Sequence, residues 1–135
     1  MNNTMERKKV FEKPFVEITF DEESKVIIAR WIGFLKLDDL KTGCAELTSF
    51  IKKNNIKNHL SDHTRLKILS KEVQGYLGGT WFPEVSALGL QKVAVLVSND
   101  VFAQATVDNV NKTTIGKLQM NTYPSEKQCL DWLNS

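Results

Sequence analysis

The chain has 135 residues, 41% of them hydrophobic and 25% charged, with 18 Lys and Arg against 16 Asp and Glu. That length fits one domain whose core needs no metal or disulfide, and a formal charge of +2 is too near balance to suggest a nucleic-acid binder, which concentrates basic residues on one face. No stretch reaches the ~18 apolar residues of a membrane span, and Met1 to Lys13 carries charges without the apolar run of a secretory signal, so a cytoplasmic protein is expected.

Residues 1–13 are polar and aperiodic and read as a flexible arm ahead of a single domain over 14–135. After Pro14, Val16, Ile18 and Phe20 alternate with Glu17 and Thr19, which predicts a strand with one wet face. The turn cluster Asp21-Glu22-Glu23-Ser24 leads into a second strand over Lys25–Phe34, and so short a connection makes the pair an antiparallel hairpin. From Leu37 the period changes. Leu37, Leu40, Cys44, Leu47 and Ile51 share one helical stripe, with Asp38 and Asp39 in the first turn, Lys52 and Lys53 in the last, and Asn54-Asn55 as the stop.

A short strand is expected around Asn58–Thr64, followed by a second helix capped by Ser70. Gly78-Gly79 interrupts that helix, Pro83 restarts it and Gly89 closes it. Lys92–Val97 is apolar without alternation, the pattern of an interior parallel strand covered on both faces. Ser98-Asn99-Asp100 offers a cap for a helix of weak propensity over Val101–Val110, and Gly116–Tyr123 reads as the last strand. Ser125 and Gln128 make a capping box for a closing helix that carries Cys129, Leu130, Trp132 and Leu133. The order β-β-α-β-α-β-α-β-α predicts an α/β fold in which strands joined through helices run parallel with right-handed crossovers.

Several strings in this order resemble the bacterial SpoIIAA-like, or STAS-like, proteins over residues 15–134. They are Trp31-Ile32-Gly33-Phe34 followed by Leu37-Asp38-Asp39-Leu40, Trp81-Phe82-Pro83 followed by Ala87-Leu88-Gly89-Leu90, the strand Val93–Val97, Asn99-Asp100-Val101-Phe102, and Tyr123-Pro124-Ser125 with Leu130-Asp131-Trp132-Leu133. The resemblance implies a right-handed β/α superhelix: a mixed sheet with an antiparallel N-terminal edge strand and helices mainly on one face. It is a fold shared with STAS domains and CRAL-TRIO lipid-exchange domains. Related anti-sigma factor antagonists are switched by phosphorylation of a serine that opens the helix after the third strand, within an Asp-Ser-Ser-Gly pattern. Laying Asp62 on their strand-end aspartate brings Ser70-Lys71-Glu72-Val73 onto that pattern, so the switch position falls on Glu72, which has no hydroxyl. No phosphate is therefore expected on Ser70–Val73, and Ser70→Ala is expected to cost ~1 kcal/mol through loss of the cap.

His59 and His63 lie an even number of steps apart and share a strand face, but no Cys or carboxylate pair accompanies them as zinc would need. No metal or cofactor is expected. Cys44 and Cys129 sit on apolar helical stripes, where a free thiol stays protonated and inert. Asp62-His63-Thr64-Arg65 is the densest polar cluster at an expected strand end, where open α/β sheets place ligands. The competing reading is a loop whose Asp caps backbone amides. Together with Ser70, Glu72, Asn99 and Asp100 these residues form a predicted binding rim, whose mixed charge suits a protein surface better than a free phosphate. Asp62→Ala with Asp100→Ala is expected to disturb binding more than folding, because loop carboxylates rarely carry core stability. Trp81, beside the glycine pair, is the aromatic expected to face a partner.

No acid–base or nucleophile constellation emerges, so the leading reading is a non-catalytic regulatory or protein-interaction module. The alternative is a carrier of a small apolar or lipid-like molecule. Apolar stripes that look filled, and a short chain, count against the ~300 Å³ such a ligand needs. A superhelix with helices on one side leaves the other sheet face bare, which predicts a twofold homodimer.

Overall fold

The computed structural model of the protein describes residues 7–107 and 112–135. Its strands are β1 (Arg7–Lys13), β2 (Val16–Asp21), β3 (Val26–Phe34), β4 (Asn58–Ile68), β5 (Lys92–Leu96), β6 (Lys112–Ile115) and β7 (Leu118–Tyr123). The helices are α1 (Leu37–Asn54), α2 (Lys71–Tyr76), α3 (Phe82–Ala87), α4 (Asn99–Val107) and α5 (Glu126–Leu133), and a π-helical turn over Leu77–Trp81 joins α2 to α3. The strands form one seven-stranded sheet in the order β1-β2-β3-β4-β5-β7-β6. The centre, β3–β4–β5–β7, is parallel, and both edges are antiparallel.

Where one periodicity runs long enough, the expected elements are present. The β2–β3 hairpin buries Val16 and Ile18 and leaves Glu17 half-exposed. Helix α1 buries Leu40, Cys44, Leu47 and Ile51, and ends at Asn55, which takes the left-handed conformation (φ 54°) and donates its N–H to the Ile51 carbonyl. Strand β5 is interior and parallel to both neighbours, with Val93 packed in one core and Ala94 in the other.

Three expectations need correction. Residues 7–13 of the expected flexible arm are strand β1, antiparallel to β2. Val10 and Phe11 pack on the main core, and Arg7 pairs with Asp21 at 3.4 Å and with Glu126 of α5. A bulge between Lys9 and Phe11 breaks the alternation that would have marked the strand. Strand β4 does not stop at Thr64 but runs to Ile68. The last strand has a partner, β6, joined to it through Gly116 at φ +61°, a turn conformation that favours glycine. The expected helix over 101–110 is present as α4 to Val107, and 108–110 lie outside the described residues.

The sheet has two covered faces. On the first, Ile27, Ala29, Trp31 and Val93 pack under α1 and the α2–π–α3 segment. On the second, Val26, Ile28, Leu60, Ala94 and Leu96 pack under Cys129 and Leu133 of α5. The face whose exposure would call for a dimer is therefore occupied by the chain's own last helix. Helix α1 lies close on the sheet because it presents Gly43: a Cβ there would come within 2.6 Å of the Trp31 ring. In an open helix Gly→Ala gains about 0.5–1 kcal/mol. Here Gly43→Ala should instead destabilise by about 1–3 kcal/mol as helix and indole are forced apart. Chemical denaturation would expose an error if the variant were as stable as its parent.

Candidate functional site

The site begins with a register change. Strand β5 pairs with β4 only as far as Asp62–Leu96, while β4 continues along β3. Between the pairs Arg30–Asp62 and Ile32–Arg65, β3 advances two residues and β4 three, so β4 bulges at His63–Thr64. The Asp62 carboxylate holds this bulge, accepting from the Thr64 N–H at 2.9 Å, the Thr64 Oγ1 at 2.7 Å and the Arg30 Nε at 3.1 Å. Arg30 also lies 3.5 Å from Glu17, and Glu17, Arg30 and Asp62 stand directly opposite one another across three strands.

Asp62 is therefore no loop carboxylate. It is 4% exposed, inside a strand and on the α5 side of the sheet, where its charge also acts on Cys129. This removes the reason, a loop position, for expecting Asp62→Ala with Asp100→Ala to disturb binding more than folding. Asp62→Ala leaves Arg30 facing only Glu17 and the bulge amide without its acceptor, so it should cost about 2–3 kcal/mol of stability. Urea unfolding of Asp62→Ala beside Asp100→Ala, which alters an exposed residue in the first turn of α4, separates the two effects. A cost of less than about 0.5 kcal/mol, the usual range for a surface change, would show that this carboxylate carries little of the fold's stability.

Alternation along β4 puts His63 on the first face, beside Ser61 and His59. Ser61 Oγ lies 3.2 Å from the Trp31 Nε1, which donates to it, and 2.9 Å from His63 Nε2. All three groups are satisfied when Trp31 donates to Ser61 and Ser61 donates to His63, which leaves the His63 proton on Nδ1. His59 is 1% exposed, and its Nδ1 lies 2.8 Å from the Ile27 carbonyl. The carbonyl can only accept, so the proton sits on Nδ1 and Nε2 is a bare acceptor. Burial lowers the His59 pKa to about 4 against the pull of the Ile27 carbonyl, and burial lowers that of His63 against the Asp62 carboxylate. Both rings are neutral at physiological pH.

Opposite this row stands the π-helical turn. The Phe82 N–H donates to the Leu77 carbonyl, one residue farther back than in an α-helix, and Pro83 has no N–H with which to continue the ladder. The glycine pair read as a helix break is thus a widened turn within a continuous helical run. It sets Trp81 inward, 2% exposed, with Nε1 donating to Thr48 Oγ1 at 2.8 Å and the ring edge-on to His59 at 5.8 Å. Trp81 faces the core rather than a partner.

Between the π-turn and β4 lies a cleft of about 420 Å³. Its walls include Trp31, Leu77, Trp81, Phe82 and Met120, and its polar groups include His59, Ser61 and His63. A smaller cleft of about 280 Å³ adjoins it where β4 outruns β5, and its lining includes His63, Thr64, Lys67, Leu69 and Ser98.

Of the predicted rim, His63 and Thr64 line a cleft, while Asp62 holds their bulge from the opposite face. Arg65, Ser70, Glu72, Asn99 and Asp100 are exposed and line neither cleft. Ser70 caps α2 as expected, accepting from the Val73 N–H at 3.2 Å, and Glu72 sits in that helix's first turn. Ser125 likewise caps α5 through the Gln128 N–H at 3.2 Å. Both cysteines are buried free thiols, and burial pushes the Cys129 thiol up to about 12 and that of Cys44 higher still. Among the described residues no three His, Cys, Asp or Glu side chains gather as a metal set, and no helix is long and apolar enough to cross a membrane.

Sequence reasoning missed Ser61, and it gave neither His59 nor Trp31 a place in a cleft. The spacing 59, 61, 63 was the available signal, since alternate strand residues share a face.

No family model and no curated protein matches this sequence. Among solved structures, the chain is similar to an uncharacterised protein of the DUF3478 family with a SpoIIAA-like fold from Shewanella loihica PV-4. The TM-score is 0.56 at 16% sequence identity, over 87% of this chain and 91% of the other. That likeness establishes a SpoIIAA-like α/β fold, as the local strings implied.

Proposed function

We propose that this protein is a non-catalytic binding module that holds a small, largely apolar molecule in the cleft between the π-turn and β4. The observation that carries this reading is the cleft itself. At about 420 Å³ it falls within the ~300–1,000 Å³ of small-molecule sites, more than the little room expected of so short a chain. Its composition is that of such sites, with aromatic and aliphatic walls and a few fixed polar groups.

The contact between Ser61 and His63, 2.9 Å, also has the spacing of a nucleophile and its base. Ser61 is only 6% exposed, and its oxygen already accepts from Trp31, which draws on the lone pairs a nucleophile needs. Ser61 therefore reads as a hydrogen-bond relay that fixes the orientation of His63.

The test is a titration with the neutral fluorescent probe N-phenyl-1-naphthylamine, alongside native mass spectrometry of the protein purified from its own host. Saturable binding at one site is expected, and Leu77→Trp, which fills the cleft from a half-buried wall position, should block it. An unchanged titration for Leu77→Trp, or no saturable binding at all, would sink the reading. A protein partner seen at the rim with the cleft empty would favour a regulatory interaction module instead.

A further inference from the structure

The two clefts meet at His63 and Leu69, which line both. They differ in chemistry. The first is walled by Trp31, Leu77, Trp81, Phe82 and Met120, whereas the second brings Lys67 and Ser98 to the same mouth as His63. Among the described residues no Asp or Glu lines either cleft, and Lys67 has no ion-pair partner. Asp62, next to His63 in the chain, faces the other side of the sheet and is engaged by Arg30 and Thr64.

The hydrogen-bonding capacity at the mouth is that of donors. His63 Nε2 is taken by Ser61, which leaves Nδ1–H to give. Ser98 Oγ accepts from the Val101 N–H at 3.3 Å, so its own O–H remains to donate. We infer that the occupant is a single-chain amphiphile with a carboxylate head: its alkyl chain lies in the cleft beneath the π-turn, and its head lies at Lys67, Ser98 and His63. This rests on the small-molecule reading proposed above and specifies the ligand's class. One lysine with neutral donors matches a monoanion, whereas a dianionic phosphate head calls for several cations or a bidentate arginine. A neutral head would leave the Lys67 charge unused.

Displacement of bound N-phenyl-1-naphthylamine by four twelve-carbon compounds tests this: dodecanoate, dodecanol, dodecyltrimethylammonium and dodecyl phosphate. Dodecanoate is expected to compete at a concentration about fivefold below that of dodecanol, the size of one partly exposed charge contact, and the ammonium compound to compete worst. Lys67→Glu, with its melting transition confirming that it is folded, should abolish or reverse the preference for dodecanoate. Equal competition by dodecanoate and dodecanol, a preference unchanged in Lys67→Glu, or tighter competition by dodecyl phosphate would each overturn the carboxylate assignment while the apolar site stands. Absence of probe binding would overturn both.

Discussion

Replacing Trp81 with alanine is expected to lower the unfolding free energy by about 3–5 kcal/mol, the range for truncating a buried aromatic. The same change should abolish binding of the apolar probe. Trp81 is 2% exposed and clamps three elements at once. Its Nε1 is tied to Thr48 of α1, its ring edge meets His59 of β4, and its ring lies 5.3 Å from that of Phe82 at the start of α3. Truncation leaves a cavity continuous with the cleft, so the π-turn loses the contact that holds it away from β4. Trp81→Phe keeps an aromatic ring there but gives up the hydrogen bond to Thr48, and should cost about 1–2 kcal/mol. Equilibrium urea unfolding of both variants, read beside probe titrations, is the check. If Trp81→Ala cost less than about 1 kcal/mol, this indole would not be the clamp.

Much of the sheet was legible in the sequence, and the parts that were not share a cause. Val16, Ile18 and Phe20 alternate cleanly, α1 keeps one stripe from Leu37 to Ile51, and Lys92–Val97 is apolar throughout. Each carries a single period from end to end. Strand β1 carries the same physical signal, but its bulge moves Val10 and Phe11 out of alternation. The bulge in β4 hides more. Strict alternation from Asn58 makes Asp62–Arg65 look like the polar end of a short strand, whereas the added residue lets the strand continue and shifts the later alternation so that Leu66 packs on the first-face core.

The cleft was beyond reach for a different reason. Ser61 meets Trp31 across 30 residues, and Trp81 meets Thr48 across 33, so neither pairing leaves a local pattern. A glycine pair followed by Pro83 signals disturbed helix geometry, but whether the helix breaks or gains a residue depends on what Trp81 finds beneath it. Here it finds Thr48 and His59, and the cleft is the space left beside that contact.

The buried row on β4 carries a pH dependence whose sign follows from His59. An unfolded histidine titrates near 6.5, and in the folded protein burial lowers His59 to about 4. Between those values the unfolded chain binds the proton and the folded one does not. Stability from this group is thus complete above about pH 6.5, falls as pH drops, and is lost by about pH 4, a change of about 3 kcal/mol. His63 shifts in the same direction and steepens the fall. His59→Asn places an amide nitrogen where Nδ1 donates to the Ile27 carbonyl but removes the titrating ring. It should be less stable than the parent near neutral pH, because it leaves a void beside Trp81, and the difference should narrow as pH falls from 6.5 towards 4. A gap between the two unfolding free energies that stays constant over that window, or a His59 ring resonance titrating near 6.5 by NMR, would mean that the histidine is solvated. The polar floor of the cleft would then be open to water rather than held dry by Trp81.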